Sequence, residues 1–182
     1  MILCIVLSVI IILVIYFIVQ YNMLIRANNV VKEAFSTMDV YLKKRWDLIP
    51  NLVEAVKGYS IHEKETFEKI TMLRANSYES MTMDKKIDVN QKLGQSIIKI
   101  MAISENYPEL KANQNFLELS NELIKVEDEI ANSRKYYNGA VRELNNKIQM
   151  FPSNIVASII GLKSLNMFEI NAEERNNIKV SL

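Results

Sequence analysis

One cysteine and one histidine in 182 residues remove whole classes of chemistry. A Cys/His zinc site, an intrachain disulfide framework and a Cys-pair redox motif each need more of these residues. Glycine and proline are nearly as scarce, at four and three. That excludes collagen-like and low-complexity chains and argues against a turn-rich all-β fold. An excess of charge is missing too: 22 Lys and Arg stand against 21 Asp and Glu, for a formal net charge of +1. Nucleic-acid binders carry a clustered basic excess, so nucleic acid is not expected as a partner. There is no glycine-rich phosphate loop, no nucleophilic-serine motif and no Glu-x-x-His pair for a di-iron carboxylate site. No cofactor or metal is expected, and the length fits one domain.

What is present begins with a long apolar run. Ile2 to Val19 carries no charge, and the first charged side chain is Arg26. As a helix this run spans about 27 Å, near the ~30 Å of a bilayer's hydrocarbon core. Tyr16 and Tyr21 fall near one end, where amphipathic rings suit the headgroup region. A cleaved signal peptide is the competing reading. No basic stretch precedes the run, the run is long for a signal, and no small-x-small cleavage site follows it. Cys4 has no signal-sized segment before it, so lipoprotein processing is not expected either. A retained anchor over 1–20 is expected. Basic residues lie only after it, first Arg26 and Lys32 and then Lys43, Lys44 and Arg45. That bias places the N-terminus outside and the remainder in the cytoplasm, a single-pass protein of the cytoplasmic membrane.

The remainder reads as helix. Val31, Phe35, Met38, Leu42, Trp46 and Ile49 recur at helical spacing, as do Leu52, Val53, Val56, Tyr59, Phe67, Ile70 and Leu73. Leu93, Ile97, Ile100 and Met101 form a third stretch. Phe116, Leu119, Leu123, Val126, Ile130, Ser133, Tyr137, Ala140 and Leu144 alternate by three and four, the seam of a packed bundle or coiled coil. Asp47 can cap a second helix, leaving Pro50 in its first turn; a kinked continuous helix is the alternative. Asn76 to Asp84 reads as a turn. Tyr107-Pro108 and Phe151-Pro152 stop helices. The spacing thus predicts helices near 2–46, 48–77, 84–106 and 112–150, with a short piece at 153–161. The fold class is all-α: an N-terminal transmembrane helix continuing into an antiparallel four-helix bundle over 21–151, then a short apolar helix and tail over 152–182.

Candidate sites follow from this layout. Lys43, Lys44 and Arg45 would stand roughly 35 Å from the bilayer on an upright helix. That is several Debye lengths of about 8 Å, so they are not a lipid anchor. They are either a solvated helix end or a docking patch for an acidic partner. The fourth helix would return to the membrane and bring Ile155, Val156, Ile159 and Ile160 there. That stretch would lie in the membrane interface or fold over the open end of the bundle. Tyr136, Tyr137 and Asn138 are an unusual cluster in which Tyr137 falls on the seam, read as bundle specificity or a ligand pocket. Gly58, Gly94 and Gly139 within helices mark close approach or simple tolerance. His62 beside Glu63 reads as a helix-surface residue rather than a catalytic base.

At these residues the chain resembles the LemA family. The match runs through Tyr21-Asn22, Asp39-Val40, Leu42-Lys43-Lys44-Arg45, Asp47 to Val53, Val56 to Tyr59 and His62-Glu63-Lys64. It continues in Tyr107 to Ala112, Tyr136-Tyr137-Asn138, Val141, Asn145, Ile148, Phe151 to Asn154, Phe168-Glu169 and Lys179 to Ser181. Leu144, Leu162 and Trp46 depart from the usual residues in ways that affect packing. The resemblance implies a bacterial membrane protein with one N-terminal span and a cytoplasmic helical bundle. It implies no enzymatic activity and supplies no active site. The expected function is therefore a non-enzymatic membrane scaffold or adaptor, with the bilayer and either a protein partner or a second copy as its contacts. A sensor binding a small ligand in the bundle is the alternative.

Overall fold

The computed structural model describes residues 1–59 and 64–168. All regular structure in those residues is helical: α1 (Ile2–Lys57), α2 (Lys64–Leu73), a 3-10 turn (Tyr78–Ser80), α3 (Met83–Ser104), α4 (Pro108–Lys111), α5 (Gln114–Gln149) and α6 (Ser153–Ile159). His62, Glu63, Glu169 and the segment Lys179 to Ser181 lie outside the described residues.

The break expected between 46 and 48 is absent. α1 is one helix of 56 residues that runs through Pro50. The reason is a distant contact. Proline has no N–H, so in a helix it leaves the carbonyl four residues earlier without its partner. Here that carbonyl belongs to Trp46, and Arg74 Nη1 donates to it. The same guanidinium lies 4.4 Å from the centre of the Trp46 ring. Asp47 is accordingly not a cap but a mid-helix residue, and its carboxylate receives Lys43 Nζ at 2.6 and 2.7 Å. The second helix is correspondingly short, ten residues rather than the long partner expected over 48–77.

The other stops are local. Thr82 Oγ1 accepts from Lys85 N at the start of α3, and Asn113 Oδ1 accepts from Phe116 N at the start of α5. Both satisfy amides that a helix start leaves open. α3 ends before Tyr107, and Pro108 sits in the first turn of α4, where its missing N–H costs nothing. α6 ends on Gly161 at φ 68°, a left-handed conformation that favours glycine. Leu162 N then bonds to Ala157 O at 3.0 Å and Gly161 N to Ser158 O at 3.2 Å, the paired bonds of a Schellman motif.

The chain divides into two compact units. The first comprises Met1–Ser36 and Arg134–Met167, and the second Thr37–Ser133 together with Phe168. In the first unit α1 and α5 meet along apolar side chains. Phe35 packs edge-on to Tyr137, with ring centres 5.9 Å apart. Leu24 is buried with Val156 and Ala157 of α6, and Ile148, Ile160 and Leu162 pack against them. Moving from Phe35 to Leu24 is eleven residues along α1, and from Tyr137 to Ile148 is eleven in the opposite sense along α5. The segment after α6 returns along α5. Asn145 holds it as a peptide would, with Nδ2 donating to Leu165 O and Oδ1 accepting from Leu165 N, both at 2.9 Å.

The second unit has the larger core: Met38, Leu42, Ile49, Leu52 and Val56 of α1, Leu93, Ile97 and Ile100 of α3, Leu110, and Leu123, Val126 and Ile130 of α5. The seams expected on α1, α3 and α5 supply most of it. The turn expected at 76–84 is there, but it buries Tyr78.

Among the described residues, α1 is the helix long and apolar enough to cross a membrane, and its apolar stretch is uncovered. Residues 1–19 are exposed throughout, and burial begins at Gln20.

Candidate functional site

The densest polar cluster lies in the second unit and centres on Arg45. On α1, the positions 38, 42, 45, 49, 52 and 56 step by four and three, so Arg45 occupies the apolar seam. Its side chain points inward and is 3% exposed. Nη1 donates to both carboxylate oxygens of Glu127 on α5, at 2.9 and 3.0 Å. Nη2 donates to the carbonyl and side-chain oxygens of Asn90 on α3, at 2.6 and 3.1 Å. Asn90 is held in turn by its Nδ2 bond to Lys86 O. A Cβ at Gly94 on α3 would lie 3.4 Å from Arg45 Nη1, an ordinary van der Waals contact. A planar fork with five donors is the side chain suited to joining three helices in this way.

Beside it, Asp39 of α1 receives the Tyr78 hydroxyl and Lys86 Nζ, each at 2.6 Å. Lys86 Nζ also lies 4.6 Å from the centre of the Tyr78 ring, and that ring meets Trp46 at 5.2 Å. Burial, reinforced by Asp39, pushes the Tyr78 hydroxyl far above its ordinary range. Burial lowers the Arg74 guanidinium from its ordinary value. The hydrogen bond to Asp47 raises Lys43. The cluster binds α1, the 3-10 turn, α3 and α5 to one another, and its charged groups already have partners within the chain.

The three residues expected to form one docking patch therefore separate. Arg45 is buried and cannot belong to an exposed face, because it is a seam residue. Lys43 is paired with Asp47 and lies 3.7 Å from Glu79. Lys44 is half-exposed and pairs with Glu122 at 2.9 Å.

The residues expected at a membrane interface also separate. Val156 is buried beside Leu24, and Ile160 is half-buried against the same cluster, whereas Ile155 and Ile159 are exposed. The two sides of α6 thus serve different surroundings. Met150 and Phe151 in the preceding turn, which are not among the residues expected at the interface, are exposed as well. The Tyr136-Tyr137-Asn138 cluster is likewise divided. Tyr136 is exposed, and Tyr137 is buried with its hydroxyl bonded to Asn166 O at 3.2 Å. Of the three glycines in helical sequence, Gly58 lies in the turn after α1, and at Gly58 and Gly139 a Cβ would meet nothing within 4 Å. Tolerance rather than close approach explains those two. A cavity of about 410 Å³ lies between α2 and α3, lined by Glu65, Thr66, Lys69, Ser96, Lys99 and Ile103 among others. The sequence carries no motif that marks it.

The comparisons with known proteins bear on most of the chain. The model of the LemA family matches residues 34–182. Protein LemA of Metamycoplasma hominis is 30% identical over 162 residues, covering 88% of this chain and 74% of that protein. Magnetosome protein MamQ 2 of Paramagnetospirillum magneticum is 22% identical over 82% of this chain and 65% of its own length. Magnetosome protein MamQ of Magnetospirillum gryphiswaldense is 22% identical over 82% of this chain and 64% of its own length. The chain thus spans slightly less than two thirds of these magnetosome proteins.

Proposed function

We propose that this chain, which belongs to the LemA family, is a single-pass membrane scaffold or adaptor without enzymatic activity. Residues 2–19 cross the cytoplasmic membrane with the N-terminus outside. The helical remainder, arranged as an antiparallel bundle, is presented in the cytoplasm to a protein partner or to a second copy. One observation carries this reading. α1 passes without a break from a segment whose side chains are apolar and uncovered to one whose seam is fully packed. A segment with that surface has no stable place in water, and a helix continuing out of it offers a rigid mount rather than a tether. The positive residues Arg26 and Lys32, both after the segment, support the orientation.

The test is made on the full chain in cells. With Cys4→Ser as background, a cysteine placed at Glu118 should react with a membrane-impermeant maleimide only after the membrane is opened. The protein should also stay with membranes in alkaline carbonate. Release by carbonate would contradict the anchor, and labelling in intact cells would contradict the orientation. A photo-crosslinking residue at the exposed Ile124 should give discrete adducts. A body that crosslinks to nothing, itself included, would contradict the scaffold.

A further inference from the structure

We propose that the end of the first unit is a second membrane contact, in which Met150, Phe151, Ile155 and Ile159 enter the boundary between headgroups and acyl chains beside the span. This rests on the reading that residues 2–19 cross the bilayer. The first argument is level. Burial of α1 begins at Gln20, immediately after the last residue of the apolar run. Leu24, packed under Val156 and Ala157, lies about 7 Å beyond Val19 along the helix. The polar zone on each side of a bilayer is about 5–8 Å thick, so α6 is held at its depth.

The second argument is direction. Phe35 meets Tyr137, and Ile148 packs against the cluster that holds Leu24, so α5 runs back along α1 from Phe35 towards Leu24. Phe151 follows Ile148 by three residues in that direction, just past the end of α5, and so lies at the end of the unit where the apolar run of α1 stops.

The third is chemistry. Phe151 is 79% exposed, Ile159 66%, Met150 62% and Ile155 54%. Ile155 and Ile159 are four apart on α6 and share the side opposite the buried Val156 and Ala157. No charged side chain falls between Lys147 and Lys163. Lys163 and Arg26 are exposed cations of the same unit, placed to meet lipid phosphates. Four large apolar side chains held in water at this level would be an exposed patch without a function; at the interface they are buried as those of an amphipathic surface segment are.

The experiment uses the full chain with Cys4→Ser, reconstituted in vesicles of phosphatidylethanolamine and phosphatidylglycerol. Single cysteines at Phe151→Cys, Ile159→Cys, Tyr136→Cys and Ile10→Cys carry an environment-sensitive fluorophore. Lipids bearing a nitroxide near the headgroup end of the acyl chain should quench the probes at 151 and 159 by about twofold or more, as interfacial depth requires. The exposed probe at 136 should be unaffected. The probe at 10 should be quenched by nitroxides deep in the chain. Quenching at 10 but not at 151 and 159 overturns the second contact and leaves the span intact. A blue-shifted but unquenched signal at 151 and 159 means that a second copy covers them, which also overturns it. No quenching at 10 removes the span itself, and the second contact with it.

Discussion

The two units handle buried polarity differently. The first, which carries the apolar segment, uses neutral groups against backbone: Asn145 to both polar atoms of the Leu165 backbone, Tyr137 to Asn166 O, and Ser153 Oγ to Lys147 O. The second buries a guanidinium. Arg45 is the buried charged side chain among the described residues, and it is matched by Glu127 and Asn90. An ion pair taken out of water has a desolvation cost that its geometry must offset. Neutral side chain-to-backbone bonds carry a smaller one. Among the described residues the first unit thus closes its buried polar groups with amides and hydroxyls, and the buried charge lies in the second, along with the hydroxyls of Ser96, Ser104 and Ser133.

Breaking the network should give the largest effect. Arg45→Ala removes the guanidinium from the Asn90 carbonyl and side-chain oxygens and from Glu127, and empties the seam. The expected loss is about 3 kcal/mol, the lower end for a broken buried pair because Glu127 retains contact with water. Trp46 is the single tryptophan and is buried, so its fluorescence during urea unfolding in detergent reports this directly. A loss below about 1 kcal/mol would mean that the second unit does not depend on its charge.

The Pro50 device should come next. Arg74→Ala removes the donor to Trp46 O and the contact over its ring, for about 2 kcal/mol. In a Pro50→Ala background the helix regains its own N–H, and the same Arg74→Ala should cost markedly less. Equal costs in both backgrounds would mean that Arg74 does not compensate the proline.

In the first unit, Gly139→Ala should stabilise by about 1 kcal/mol, because the new methyl meets nothing and helix propensity improves. A lower melting temperature would restore the close-approach reading for that position. The smallest effect is a pH dependence confined to the second unit. Tyr78 is held protonated by burial and then by Asp39, so its pKa is raised on folding. The unfolded phenol releases its proton near pH 10 while the folded one keeps it. This contribution is therefore complete below that pH and falls as pH rises past it, by about 0.8 kcal/mol at pH 10.5. Tyr78→Phe should remove that part of the alkaline slope. An unchanged slope would show that the buried hydroxyl is not its source.

These contrasts also mark what was legible in the sequence. Local periodicity was enough for the seams of α1, α3 and α5, for the stops at Tyr107-Pro108 and Phe151-Pro152, and for the apolar run. It was not enough where a partner lies far along the chain. Pro50 reads as a boundary until Arg74, 24 residues away, is seen at the Trp46 carbonyl. Arg45 reads as one of three adjacent cations when taken along the chain. Stepped by three and four from Met38 and Leu42, it falls on the seam, and that signal was present. Tyr78 sits in a polar stretch, and its burial is explained by Asp39 and Trp46, both far back along the chain. On α6 the apolar residues were grouped as one face, but a seven-residue helix packed on one side divides them between core and outside.

The most direct test of a body mounted on the membrane without a tether is backbone hydrogen exchange of the full chain in nanodiscs of phosphatidylethanolamine and phosphatidylglycerol. Unbroken protection from the proposed span through Gln20, Leu24 and Val31 is the expected result, since α1 is one helix there and its covered face begins where the apolar run ends. Rapid exchange confined to residues 19–24, between a protected span and a protected body, would contradict it.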